Sequence, residues 1–236
     1  MNIIGCDIHC FVEKRQADGS WEQIFGFVSD YYDADNDYFK GETFSNAVAP
    51  IDSRNYTVFA VLADVRNGHG FAGCDTGNAV EPIAHPKGLP DDCCDAIRKD
   101  SDEWDCDGHS HSYFTVAEIE AYNVDVLKTV RGIVHVSEYL KCRESGEEPH
   151  AWCGMISGPG IEIVTQEAID KTSIEEVKHW CTEFPDLAEK HHVKMEWTVP
   201  LKDYCGKLFT DSLDQLKARC DSPEMDDVRI VFWFDN

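Results

Sequence analysis

The first residues able to act together stand near the start of the chain, in Gly5-Cys6-Asp7-Ile8-His9. Side chains alternate along a strand, so Asp7 and His9 share one face while Ile8 and Cys10 take the other. A carboxylate beside an imidazole suits a divalent cation or a general acid–base pair. The plain structural reading is a strand with one polar face. A second set is Gly108-His109-Ser110-His111-Ser112. In extended backbone both rings of a His-x-His pair lie on one side and can hold one ion; a polar loop leading into a helix is the alternative. Asp7, His9, His109 and His111 would form a mixed nitrogen and oxygen set, to which Asp235 and two aspartate-rich segments could add oxygens. Such a set points to zinc, manganese or iron rather than calcium. Asp7 and His9 are the expected catalytic pair.

The third signal is where the scarce positive charge falls. The chain has 21 Lys and Arg against 45 Asp and Glu, a formal net charge of −24 over 236 residues. Yet Arg54 and Arg66 flank one apolar run, each followed by Asn. Arg66-Asn67-Gly68-His69-Gly70 resembles a turn that receives an anion through a guanidinium and backbone N–H groups. Lys87, in Pro86-Lys87-Gly88-Leu89-Pro90, stands at a helix entrance, where anions are favoured. Arg54, Arg66, Asn67, His69 and Lys87 are therefore the candidate contacts to a small phosphorylated or carboxylated ligand, with His85 in the same loop. For each cation, pairing with one of the many acids is the structural alternative. His191 and His192 are adjacent, face opposite ways on a strand and read as structural.

The charge also excludes partners. Nucleic-acid binding rests largely on Lys and Arg neutralising phosphates, so general DNA or RNA binding is not expected, nor is an anionic membrane surface. No apolar run approaches the ~20 residues that span a bilayer, and the first residues lack the basic region of a signal peptide. Eleven cysteines without a C-x-x-C read as reduced thiols in a cytoplasmic protein. Walker A, G-x-S-x-G and H-E-x-x-H are all missing.

Elements must position these residues. Ile3 to Lys14 and Trp21 to Val28 predict a hairpin around the turn 16–20. Residues 29–41, with Asp30, Asp33, Asp35 and Asp37, read as a solvated loop. Phe59, Leu62 and Val65 give helical spacing over 53–66. A long loop over 67–90 follows, then a short helix capped by Asp91 or Asp92 and running to Lys99, then an acidic loop over 100–108. Thr115 and Glu118 form a capping box, Ser137 caps 138–144, and Ser173 and Glu176 form a second capping box. Val193, Met195, Trp197 and Val199 alternate as a strand, and Leu213 to Cys220 reads as a helix. The apolar run Val228 to Asn236 predicts a central strand. The expected fold is α+β: a single domain over 1–236, with a mostly antiparallel sheet holding the N-terminal hairpin and the C-terminal strand, helices packed on it, and 145–190 as an insertion.

Five blocks carry a resemblance: Gly5–His9, Arg54–Gly68, Gly88–Pro90, His109–Ser112 and Val231–Asn236. In that order they resemble a group of uncharacterised proteins of tailed bacteriophages and prophages. The resemblance implies a phage accessory protein acting in the bacterial cytoplasm, and it carries over no catalytic residue. Joined to the chemistry above, it gives a leading expectation of a metal-dependent hydrolase of a small phosphorylated molecule, a nucleotide among the candidates. A metal-bound water would be the nucleophile, and Arg54 and Arg66 would hold the phosphate. The second expectation is a non-catalytic protein that sequesters a nucleotide signal of bacterial defence. The third is an acidic protein that binds a host protein.

Overall fold

The computed structural model describes residues 5–31 and 47–235. Asp33, Asp35 and Asp37 of the expected acidic loop, and the first residues of the expected hairpin, lie outside them. In chain order the elements begin with β1 (Asp7–Arg15), β2 (Trp21–Ile24), α1 (Tyr56–Ala63), α2 (Asp95–Glu103), β3 (His109–Thr115) and α3 (Val116–Glu120). They continue with β4 (Leu127–His135), α4 (Val136–Ser145), β5 (Glu162–Thr165), α5 (Gln166–Ile169), α6 (Ile174–Glu183) and α7 (Pro185–Ala188). The last are β6 (His191–Pro200), α8 (Leu201–Tyr204), α9 (Leu213–Lys217) and β7 (Val228–Asp235). The fold is α+β. Its contacts gather in two compact units: 1–67, 80–126 and 201–236 form the first, and 68–79 with 127–200 the second. Residues 145–190 fall within the second.

The first unit is built on an antiparallel sheet in the order β2-β1-β7-β3. The C-terminal strand is central, as its unbroken apolar run requires. One sheet face carries Ile8, Cys10, Val12, Ile230, Phe232 and Phe234, which pack with Val58, Phe59, Val61 and Leu62 of α1 and with α3, α8 and α9 in the main core. The other carries Phe11, Val231 and Trp233, covered by Cys93 and Ile97 at and within α2.

Helix boundaries differ from the sequence expectation for local reasons. α1 covers 56–63 rather than 53–66. The Asn55 side chain accepts from the Thr57 and Val58 N–H groups, and Asp64 ends the helix in a left-handed conformation at φ 60°. Both arginines thus lie outside the helix, in its entry and exit turns. α2 begins at Asp95, not at the expected cap Asp91 or Asp92. The Asp92 carboxylate is spent instead on Arg229, at 2.8 Å, and on the Trp21 indole N–H, at 2.9 Å. α2 also runs through Glu103, into the stretch expected to be loop. α4 starts at Val136, one residue before the expected cap Ser137, because the His135 side chain accepts from the Ser137 N–H. Both capping boxes form, at Thr115–Glu118 and Ser173–Glu176.

The second unit holds a three-stranded sheet, β4-β6-β5, with β4 antiparallel and β5 parallel to β6. Its core joins Val134, Val193 and Met195 to Tyr139, Leu140, Val177 and Ala188 from the covering helices. His192 is buried and its ring meets that of His135 edge-on at 5.4 Å, while His191 meets Trp180 at 5.0 Å.

Candidate functional site

The antiparallel register of β1 and β7 assembles the site. It sets Asp7 opposite Asp235 and His9 opposite Trp233, and β3 brings His109 opposite Phe234. The start of β1, the end of β7 and the start of β3 therefore meet at one end of the sheet. The turns on either side of α1 bring Arg54 and Arg66 to the same place.

Asp235 is the hub. Its Oδ1 accepts the Asp7 backbone N–H at 3.1 Å, and its Oδ2 lies 3.5 Å from His9 Nε2. Its charge also acts on His109, Arg54 and Cys6. Asp7 is held by a forked pair of bonds from Arg54, with Nε donating to Oδ1 at 2.7 Å and Nη2 to Oδ2. That fork holds the Asp7 carboxyl below the usual range. The guanidinium lies across Gly5, where a Cβ would come within 2.6 Å of Arg54 Nη1, so glycine leaves it room. Arg66 has φ 55°, a left-handed conformation rarely adopted by a residue with a side chain. Its guanidinium sits 5.7 Å from the centre of the Tyr56 ring, bonds to Cys6 and acts on His109. Burial pushes the Cys6 thiol up, which removes it as a nucleophile.

On the α2 side of the sheet three rings stand in a row across three strands. The Trp233 indole is stacked between His9, at 5.8 Å, and His111, at 5.5 Å. Trp104 leans on His9 at 4.0 Å, and the Ser101 hydroxyl meets His111 Nε2 at 2.9 Å. Gly108 permits this packing, since a Cβ there would stand 3.1 Å from Trp104 Cβ and 3.4 Å from His111 Cε1. Burial holds His109 and His111 below their ordinary value of 6.5, so both are neutral at pH 7. Among the described residues six buried side-chain nitrogen and oxygen atoms lack a hydrogen-bond partner. Two of them, His9 Nε2 and Trp233 Nε1, lie side by side on this face; a third, His109 Nε2, belongs to the other face.

Asp7, His9, Arg54, Arg66 and His109 thus reach one end of the sheet, with His9 on the α2 side and His109 on the α1 side. His111 shares the face of His9, but the Trp233 ring lies between them. The two histidines of His-x-His part because Ser110 takes φ 54° and a bulge shifts the register between His109 and Ser112. His109 then stacks on Phe234, at 6.1 Å, on the opposite face from Trp233. The four residues expected to share an ion are not gathered around one point, and no group of three or more His, Cys, Asp or Glu forms a metal cage among the described residues. His9 and Asp235 remain a nitrogen–oxygen donor pair. Asn67 is bound at both ends of its amide, donating to Asp64 Oδ1 and to the Val80 carbonyl at 2.7 Å and accepting from the Val80 N–H at 2.8 Å. Lys87 bonds Glu118 at 3.1 Å and lies over the rings of Tyr113 and Phe114. His69 belongs to the second unit, where it bridges to Asp75.

Asp235, expected only as an accessory oxygen, is central here, and Tyr56, Trp104 and Trp233 join the site without having been expected in it. A readable signal existed, because an antiparallel pairing of Asp7-x-His9 with Trp233-x-Asp235 places those four side chains on one face. No protein-family model matches the chain, and no curated protein or solved structure matches it either.

Proposed function

We propose that the chain is a phage accessory protein that binds a small phosphorylated anion, a nucleotide among the candidates, at the open end of β1, β7 and β3. One observation carries this reading: arginines from both turns of α1 stand at the same end of the sheet, Arg54 forked onto Asp7 and Arg66 beside Cys6 and His109. In a chain of charge −24 an anion needs concentrated local donors, because the wider field repels it over about 8 Å at physiological salt. Arg54 offers a fork whose geometry serves carboxylate and phosphate alike, with Asp7 in that place when no ligand is present. Sequestration needs nothing further, and it is the form of the function that the geometry favours.

Turnover is the second reading. It is favoured by the nearness of His9 Nε2 to Asp235 Oδ2, 3.5 Å apart, a pair that could pass a proton once it closes to hydrogen-bond distance. A zinc, manganese or iron ion held by His9 and Asp235, with Asp7 released from Arg54, would turn that site into a phosphoester hydrolase. Host cytoplasm as the place of action rests on the phage resemblance. Among the described residues no helix is long and apolar enough to cross a membrane.

A thermal-shift screen with inorganic phosphate and nucleoside mono-, di- and triphosphates, with and without a chelator, tests both readings. Sequestration predicts that a phosphate compound raises Tm without added metal and is recovered unchanged. Hydrolysis predicts that the same compound is consumed only when metal is present. No shift with any phosphate compound would overturn both.

A further inference from the structure

The second unit contains a cavity of 370 Å³ lined by Val136, Ile169, Thr172, Glu176, Val177, Trp180 and His191. Volumes of about 300–1,000 Å³ are typical of small-molecule sites. Its walls are apolar. Val136 and Val177 are buried members of the core, with Ile169 and Trp180 packed against them. The polar groups stand at its rim, and they are acidic or neutral. Glu176 is kept ionised by its capping box: its Oε2 accepts the Ser173 N–H at 3.0 Å and the Ser173 hydroxyl at 2.9 Å, which lowers its pKa. Only Oε2 takes part in those bonds, so Oε1 retains its lone pairs. His191 meets the Trp180 ring edge-on at 5.0 Å, and its Nδ1 faces Glu162 at 3.5 Å.

The cations near this rim all hold partners, one of them at the rim itself, where Arg143 donates to the carbonyl of the lining residue Thr172. Lys178 pairs with Glu144, Lys171 lies 3.8 Å from Glu167, and Arg143 is held by the Tyr139 hydroxyl and the Thr172 carbonyl. What is left is a half-open, largely apolar pocket with an indole and an ionised carboxylate in its lining.

We propose that this cavity is a binding site for a small organic cation, an aromatic or aliphatic amine whose apolar body fills the chamber and whose ammonium group bonds Glu176. The indole of Trp180 adds attraction for a cation over its face. An anion of the same shape meets the like charge of Glu176. The site is independent of the phosphate site in the first unit and does not rest on that reading.

The probes are tryptamine and indole-3-acetate, which share a ring system and carry opposite charge, titrated calorimetrically into the full chain. Tryptamine is expected to bind and indole-3-acetate to bind at least tenfold more weakly, the order of effect of one charge-assisted bond against one like-charge contact. Glu176→Gln keeps a capping-box side chain and removes the charge, so it should leave Tm nearly unchanged and weaken tryptamine roughly tenfold. Ile169→Trp, which fills the chamber, should abolish tryptamine binding while the protein still melts cooperatively. The proposal is overturned if tryptamine gives no heat at millimolar concentration. It is also overturned if the two probes bind equally, or if Glu176→Gln binds tryptamine as the parent does.

Discussion

The two ends of one sheet face make opposite uses of charge. Along β1 the residues Asp7, His9, Phe11 and Glu13 share a face, and along β7 so do Asp235, Trp233, Val231 and Arg229. At one end Glu13 and Arg229, 0% and 4% exposed, meet at 2.7 Å, Asp92 takes a second guanidinium nitrogen, and Trp21 covers the guanidinium at 3.9 Å. The other Glu13 oxygen accepts the Cys94 N–H at 2.7 Å, and one nitrogen, Arg229 Nη2, is left without a partner. At the opposite end Asp7 and Arg54 are half-exposed, and the buried ring nitrogens His9 Nε2 and Trp233 Nε1 have no hydrogen-bond partner. A cluster that α2 closes and nearly saturates holds the fold together. A cluster that stays open and unsaturated is available to a ligand.

The largest expected effect breaks the closed end. Glu13→Gln or Arg229→Met alone leaves a buried charge uncompensated and should cost about 3–5 kcal/mol in denaturant unfolding. The double substitution Glu13→Leu with Arg229→Met should recover much of that loss, since apolar residues replace a buried pair with little penalty. At the open end Asp7→Asn should cost at most about 1 kcal/mol, because that pair is half-exposed. Equal costs at the two ends would erase the contrast.

Next in size is binding. Arg66→Lys keeps the charge and loses the fork, so affinity for a phosphate compound should fall by about 1–3 kcal/mol with Tm nearly unchanged. A large fall in Tm without ligand would make Arg66 a structural residue, like Arg229.

Acidification tests the histidines around the open end. His109 and His111 have folded pKa values below 6.5, so the unfolded chain binds more protons as pH falls past that value. Their contribution to stability is whole above pH 6.5 and is lost as pH falls through the folded pKa values. Tm measured from pH 7.5 to 5 should fall below about 6.5, and His109→Gln with His111→Gln should flatten that slope. An unchanged slope in the double variant would place the proton uptake elsewhere.

The smallest effect sharpens the open end. Asp7→Asn removes the group that occupies Arg54 and should tighten inorganic phosphate roughly twofold to fivefold, the worth of a half-exposed ion pair. Weaker binding in that variant would make Asp7 part of the ligand's own contacts.

Much of this contrast was legible in the sequence, unevenly. The hairpin, the central C-terminal strand and both capping boxes follow from alternation, apolar runs and Ser/Thr-x-x-Glu spacing, all of them local. Asp7 with His9 on one strand face was legible for the same reason. Strand β3 was not, because its His-Ser-His-Ser start is polar and its Ser110 bulge is a tertiary adjustment to β7 that no spacing encodes. That bulge is why His109 and His111 part. β4 was not legible either: Gly132 stands in its middle, where Trp152 and Trp197 would lie within 2.6 and 2.9 Å of a Cβ, a requirement set by partners distant in sequence. The triad of Glu13, Asp92 and Arg229 joins residues from three separate parts of the chain, and only strand pairing reveals it.

Calorimetric titration of the full chain with the phosphate compound that shifts Tm most, in the parent and in Arg66→Lys, tests the central claim most directly. The open end of the sheet predicts saturable binding in the parent at one site per chain, at least fivefold weaker binding in the variant, and the same melting curve for both proteins without ligand. Equal affinities in the two proteins would contradict it, as would the absence of saturable binding in the parent.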